Sequence, residues 1–210
     1  MIEVQNVSLI IKNKKILSDI NLSLQEGMIY GLVGKNGSGK TMLMRCICGF
    51  TRVTDGQILY RNKRIGKDID YPEDAGIIIE SPGFIGCYTG YRNLKLLASI
   101  RSKANRETIK NTMQKCGLDP RLKTPVGKYS MGMRQRLGLA QAIMEDQKVL
   151  ILDEPMNGLD ENGVKDIREL LLEQKKRGKV ILISSHSKED IEYLCDEVYK
   201  MNGGVLTKVG

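Results

Sequence analysis

The octapeptide GKNGSGKT, Gly34 to Thr41, constrains this chain more than any other stretch. It satisfies G-x-x-x-x-G-K-[ST] at every fixed position, with the apolar run MIYGLV (28–33) before it and an apolar, helix-patterned run to Gly49 after it. The glycines let the backbone curl until its N–H groups point inward, and the start of the helix adds partial positive charge. Such a strand–loop–helix unit cradles a chain of phosphates. Gly34, Lys35, Asn36, Gly37, Ser38, Gly39, Lys40 and Thr41 are therefore candidate nucleotide contacts. Lys40 is placed to reach the β- and γ-phosphates, and the Thr41 hydroxyl to hold Mg²⁺. A glycine-rich turn without a ligand is the competing reading, and the complete motif in its proper context disfavours it.

The loop calls for an α/β core, and the rest of the chain supplies one. Strand and helix patterns alternate through KVLILD (148–153), GVKDIRELLLEQKKRG (163–178), KVILIS (179–184) and KEDIEYLCDEV (188–198), as a parallel sheet requires. Residues 1–30 instead alternate short strand-like runs with turns, which reads as an antiparallel β lobe at the N-terminus. Apolar residues three and four apart, in YRNLKLLASIR (91–101) and NRETIKNTMQKCG (105–117), indicate an inserted α-helical lobe over about 84–135. At 210 residues the expectation is a single domain, 1–210, carrying that insert.

Other classes recede on composition. The longest apolar runs are strand length, whereas a membrane span needs about 20 apolar residues. The N-terminal MIEVQNVSLI lacks the layout of a signal peptide, so the expected location is the cytoplasm. Five cysteines without a C-x-x-C pair suggest reduced, mostly packed thiols rather than a metal site. The net charge of +8 comes from dispersed lysines and arginines, and with no Trp and two Phe to stack bases, nucleic acid is not an expected partner.

Two further strand ends carry chemistry. KVLILDEP (148–155) places Asp153 where it can hold Mg²⁺ and Glu154 where it can orient or deprotonate a water. Adjacent acids can also cap a following helix, and the upstream phosphate loop favours the metal-and-base reading. His186, the one histidine, closes the strand ILIS (181–184) and so reaches the same C-terminal sheet edge, where parallel α/β sheets bind ligands. A third strand end is less expected. AGIIIESPGF (75–84) reads as a strand buried on both faces and ending in Glu80, a carboxylate that burial penalises unless it is paired.

Together these residues resemble the ATP-binding subunit of ABC transporters over nearly the whole chain. GKNGSGKT matches Walker A, LILDE (150–154) matches Walker B, NGLD (157–160) matches the D-loop ending at Asp160, and His186 falls on the switch histidine. YSMGMRQR (129–136) stands in the place of the family signature, with Ser130 and Gly132 retained and Tyr129, Met131 and Met133 replacing the usual residues. The resemblance implies a P-loop NTPase (RecA-like) core, ATP with Mg²⁺, and Glu154 and His186 as catalytic residues. It also implies that Ser130, Gly132 and Asp160 serve nucleotide held by a second ATP-binding subunit, a homodimer, with separately encoded integral membrane permease subunits attached. The chain would then lie peripherally on the inner face of the membrane. No aromatic stands where the family stacks adenine; Ile11 or its neighbours would contact the base instead.

Glu80 is the other departure. The family normally has Gln there, at the Q-loop, and the resemblance implies Mg²⁺-facing groups at Thr41, Glu80 and Asp153; pairing with a Lys or Arg is the simpler alternative. Glu80 with SPGF, and a YS-x-GM-x-QR signature, resemble the ATPases of bacitracin-resistance and lantibiotic-immunity exporters. A soluble ABC-type ATPase, for instance one serving cluster assembly, is the alternative.

Overall fold

The computed structural model describes residues 1–80, 82–101 and 104–209. Ser81 of the SPGF stretch and residues 102–103 within the helical block therefore lie outside the described residues. Along the chain run β1 (Ile2–Ile11), β2 (Lys14–Leu24), β3 (Ile29–Val33), α1 (Lys40–Ile47), β4 (Asp55–Tyr60), β5 (Lys63–Arg64) and β6 (Ala75–Ile78). Then come α2 (Gly90–Arg101), α3 (Arg106–Lys115), α4 (Met131–Ile143), β7 (Val149–Asp153), α5 (Glu161–Lys176), β8 (Val180–Ser184), α6 (Lys188–Leu194), β9 (Glu197–Asn202) and β10 (Val205–Lys208).

Two sheets result. The first is antiparallel, with order β2-β1-β4-β5. Its hairpins turn at Lys12–Asn13 (φ 48° and 63°) and Arg61–Asn62 (φ 49° and 63°), pairs of left-handed residues whose twist suits adjoining strands. The second, of order β10-β9-β3-β8-β7-β6, is parallel from β9 to β6 with β10 antiparallel at one edge. This order carries β3, β8 and β7 side by side, so the phosphate loop, His186 and the Asp153–Glu154 pair emerge at one sheet edge. Leu32, Leu43, Met44, Ile151 and Leu182 pack one face of the sheet against α1 and the antiparallel lobe. Leu150, Leu152, Ile181 and Ile183 face the helices on the other side. The helices α2, α3 and α4 meet through Leu94, Ile109, Met113, Tyr129 and Leu137. The α/β architecture with an antiparallel N-terminal lobe is the one expected from sequence.

The triple-isoleucine strand differs from its expectation. It is an edge strand bonded to β7 alone; Ile78 is buried, whereas Ile77 and Ile79 are half-buried. One face of β6 meets the helical side of the core, and the other is only partly covered. Continuous apolar sequence therefore does not here mean burial on both faces.

The cysteines behave as packed thiols. Cys46, Cys48 and Cys116 are buried, Cys195 half-buried and Cys87 exposed. Desolvation pushes Cys46 up to about 11 and Cys116 and Cys195 up to about 12, and it raises Cys48 as well. A thiol-alkylating reagent at pH 8 without denaturant is expected to label Cys87 alone. Mass spectrometry finding a second labelled cysteine in the folded chain would contradict this packing. Among the described residues no helix is long and apolar enough to cross a membrane.

Candidate nucleotide-hydrolysis site

The loop from Gly34 to Thr41 owes its shape to backbone that side chains would block. Gly34 has φ 152°, and a Cβ there would fall 2.2 Å from the Met201 carbonyl oxygen. Gly39, at φ 115°, precedes α1 without a side-chain cap, so the N–H groups of the first turn stay available to an anion. Lys40 is buried yet keeps its ammonium satisfied: Nζ donates to the carbonyls of Gly34 (2.6 Å) and Lys35 (3.3 Å). That folds the cation over the loop's own mouth. The buried Ser38 hydroxyl has no hydrogen-bond partner among the described residues.

At the ends of β7 and β8 a chain of polar contacts joins the loop to the acids. Thr41 Oγ1 donates to Asp153 Oδ2 at 2.8 Å. The Ser184 hydroxyl donates to Asp153 Oδ1 (2.5 Å), and Ser184 Oγ accepts the Glu154 backbone N–H at 2.9 Å. Glu154 sits in left-handed backbone, φ 51°, a conformation costly for a residue with a Cβ and frequent at functional sites. Its carbonyl accepts a hydrogen bond from the Gln135 side chain on α4 (3.1 Å). The His186 N–H donates to Glu154 Oε2 at 3.4 Å, and His186 Nε2 lies 3.2 Å from Glu154 Oε1. That second approach lacks hydrogen-bond direction: Glu154 Oε1 is buried and accepts no hydrogen bond among the described residues.

Thr41, Asp153, Glu154 and His186 are brought together through these contacts. Ser130, Gly132, Asp160 and Glu80 are not joined to them by hydrogen bonds among the described residues. Ser130 is exposed at the start of α4, its Oγ accepting the Met133 N–H at 3.2 Å. Gly132 abuts the D-loop, where a Cβ would lie 2.7 Å from the Gly158 carbonyl oxygen. Asp160 caps α5, accepting the Gly163 N–H at 3.0 Å. Glu80 stands in left-handed backbone (φ 62°) with its side chain 67% exposed, pairing with Arg45 of α1 at 3.4 Å. The pairing with an arginine weighed from sequence is what the structure contains. Ile11, beside the first hairpin turn, is 38% exposed and free to meet an apolar ligand face.

Mg²⁺ suits the donors present. Thr41 and Asp153 offer hard oxygens, and no cluster of three or more His, Cys, Asp or Glu suited to a metal occurs among the described residues. An ion that keeps most of its shell as water and phosphate oxygens matches that sparse set. Ser184, Gln135 and Arg45 are the site neighbours that sequence reasoning missed. The doubled serine before His186 was a visible signal for the first of them.

Fold and site define a P-loop nucleoside triphosphatase. A family model described as ABC transporter matches residues 17–157. The uncharacterized ABC transporter ATP-binding protein YybJ of Bacillus subtilis is 44% identical over 98% of this chain and 94% of its own length. The bacitracin transport ATP-binding protein BcrA of Enterococcus faecalis is 37% identical over 99% of this chain and 68% of that protein. The lantibiotic transport ATP-binding protein SrtF of Streptococcus pyogenes is 34% identical over 93% of this chain and 84% of that protein. A solved ATP-binding subunit of an ABC transporter superposes with TM-score 0.90 at 26% identity, covering all of this chain and 89% of that one. The chain belongs to the ABC transporter family, and it is an ATP hydrolase of that family.

Proposed function

We propose that this chain is the ATPase subunit of an exporter that removes, or confers immunity to, a peptide antibiotic such as bacitracin or a lantibiotic. The relatives named for bacitracin and lantibiotic transport support that reading, and a soluble ABC-type ATPase without a transport role is not favoured. The observation that carries the mechanism is the division of the site. The phosphate loop, Asp153, Glu154 and His186 lie together, whereas the Ser130-capped start of α4 is exposed and, among the described residues, makes no hydrogen bond to them. A helix start of that kind binds anions, and a second copy can present it to the phosphate chain that this copy holds. Ser130 and Gly132 of each chain would thus complete the other's site, with Asp160 at the contact. Closing the pair around two ATP, and reopening it after hydrolysis, would move the attached membrane subunits.

Within one copy the roles divide by chemistry. The Gly34–Thr41 backbone and Lys40 bind the phosphates, and Lys40 can exchange its two carbonyl partners for phosphate oxygens. Thr41 and Asp153 would hold Mg²⁺, which neutralises charge on the β- and γ-phosphate oxygens. Glu154 takes the proton from the attacking water at the carboxylate oxygen beside His186, and His186 steadies the carboxylate while facing the γ-phosphate.

Permease contact would fall on Phe84 to Asn93. Ile85, Tyr88, Tyr91, Arg92 and Leu96 border a groove of about 550 Å³ there, with Ile85 and Leu96 exposed and Arg92 stacked 3.7 Å from the Tyr88 ring centroid. The test is affinity purification of the tagged chain from detergent-solubilised membranes. Recovery of one polytopic membrane protein, crosslinked through residues 84–93, supports the reading. Recovery of the chain alone from cells that export the antibiotic would refute it.

Glu80 would exchange Arg45 for the metal-facing edge when nucleotide arrives. Its present ion pair is exposed and contributes only about 0–1 kcal/mol, so the exchange costs little. Glu80→Gln is therefore expected to melt within about 2 °C of the parent while changing the Mg²⁺ dependence of turnover or the antibiotic protection of cells. If both match the parent, Glu80 has no part in metal binding or coupling.

A further inference from the structure

We propose that Ser184 is a positioning residue that sets the metal-binding carboxylate and the catalytic glutamate as one unit; this rests on the Mg²⁺–ATP reading above. Ser184 ends β8 and is the register partner of Asp153 at the end of β7. It is fully buried, at 0% exposure. A hydroxyl has one proton to donate and lone pairs to accept, and here both capacities meet the site. The proton goes to Asp153 Oδ1, and the oxygen accepts the Glu154 N–H. With Thr41 on Oδ2, both oxygens of Asp153 are held by hydroxyls from opposite sides, which fixes the rotation of the carboxylate.

The contact to Glu154 matters for another reason. A non-glycine residue at φ 51° needs outside contacts to stay there, and the direction of its backbone determines where its carboxylate points. Ser184 holds the Glu154 N–H, while the Gln135 side chain and the Asn157 N–H both donate to its carbonyl. The next serine does something different, as alternation along an extended segment requires. Ser185 Oγ donates to Asp190 Oδ2 and accepts the Ser187 N–H, securing the turn into α6. Of the two serines before His186, the first therefore serves the acids and the second the helix.

Removing an outer contact of this kind typically weakens metal affinity or activity by about 10–100-fold. The experiment measures equilibrium binding of a non-hydrolysable ATP analogue with Mg²⁺ and again in EDTA, alongside thermal melting and kcat. For Ser184→Ala, the Mg²⁺-dependent gain in affinity should shrink about tenfold and kcat should fall by a similar factor. Binding in EDTA should stay within about twofold of the parent, because phosphate contacts are untouched. Ser184→Cys fills nearly the same space with a weak donor and should show the same loss, so the test survives if the alanine variant folds poorly. A lower melting temperature with an unchanged Mg²⁺ gain would mean that the hydroxyl serves stability alone, and the proposal would fall. A parent protein with no Mg²⁺ gain at all would instead remove the metal reading of the site, and the proposal with it.

Discussion

Glu154→Gln loses ATP turnover by at least about 100-fold, the scale expected when a positioned general base is removed. The amide keeps the size of the carboxylate, so the left-handed backbone and its contacts to Ser184 and Gln135 remain. What disappears is the proton acceptor at Oε1, which accepts no hydrogen bond among the described residues and lies beside His186. ATP affinity should change by less than about threefold, because ground-state phosphate binding does not use this oxygen. Phosphate release measured by a coupled assay, beside a nucleotide titration, separates the two quantities. Turnover at the parental rate would remove Glu154 from the chemistry.

Lys40→Ala has the other large effect, and it appears in binding. Charge-assisted hydrogen bonds are worth about 1.5–3 kcal/mol each, so losing two on the phosphates weakens ATP by about 100-fold or more. The folded chain should tolerate the change. Lys40 bonds two carbonyls of its own loop, and those groups lie at a surface where water can replace the ammonium. An unchanged dissociation constant in the titration would contradict the phosphate-loop assignment.

How far the sequence foretold this depends on how local each feature is. The Gly34–Thr41 loop, the Asp153–Glu154 pair and His186 were legible because each is a short run at the end of an apolar strand. The first hairpin was legible as a turn between the strand-like runs of residues 1–30. Glu80 was misread in its surroundings, because the isoleucine run that precedes it belongs to an edge strand half open to solvent, and the number of neighbours a strand has is a property of the whole sheet. Its partner Arg45 lies on α1, far along the chain, and no local pattern points to it. Ser184 escaped for a similar reason: its significance comes from the parallel register that sets it opposite Asp153. Ser130 was legible as a retained residue of the signature, and in the structure its Oγ caps α4 by accepting the Met133 N–H.

Two copies sharing each ATP is the central claim, and the molecular mass of the Glu154→Gln chain with and without ATP tests it most directly. Light scattering should report one chain mass without nucleotide and twice that mass with Mg²⁺–ATP, with two ATP bound per pair. A second change, Ser130→Arg, should abolish the pairing while leaving ATP binding by the single chain intact. A Glu154→Gln chain that binds ATP at saturation yet stays at one chain mass would contradict the account.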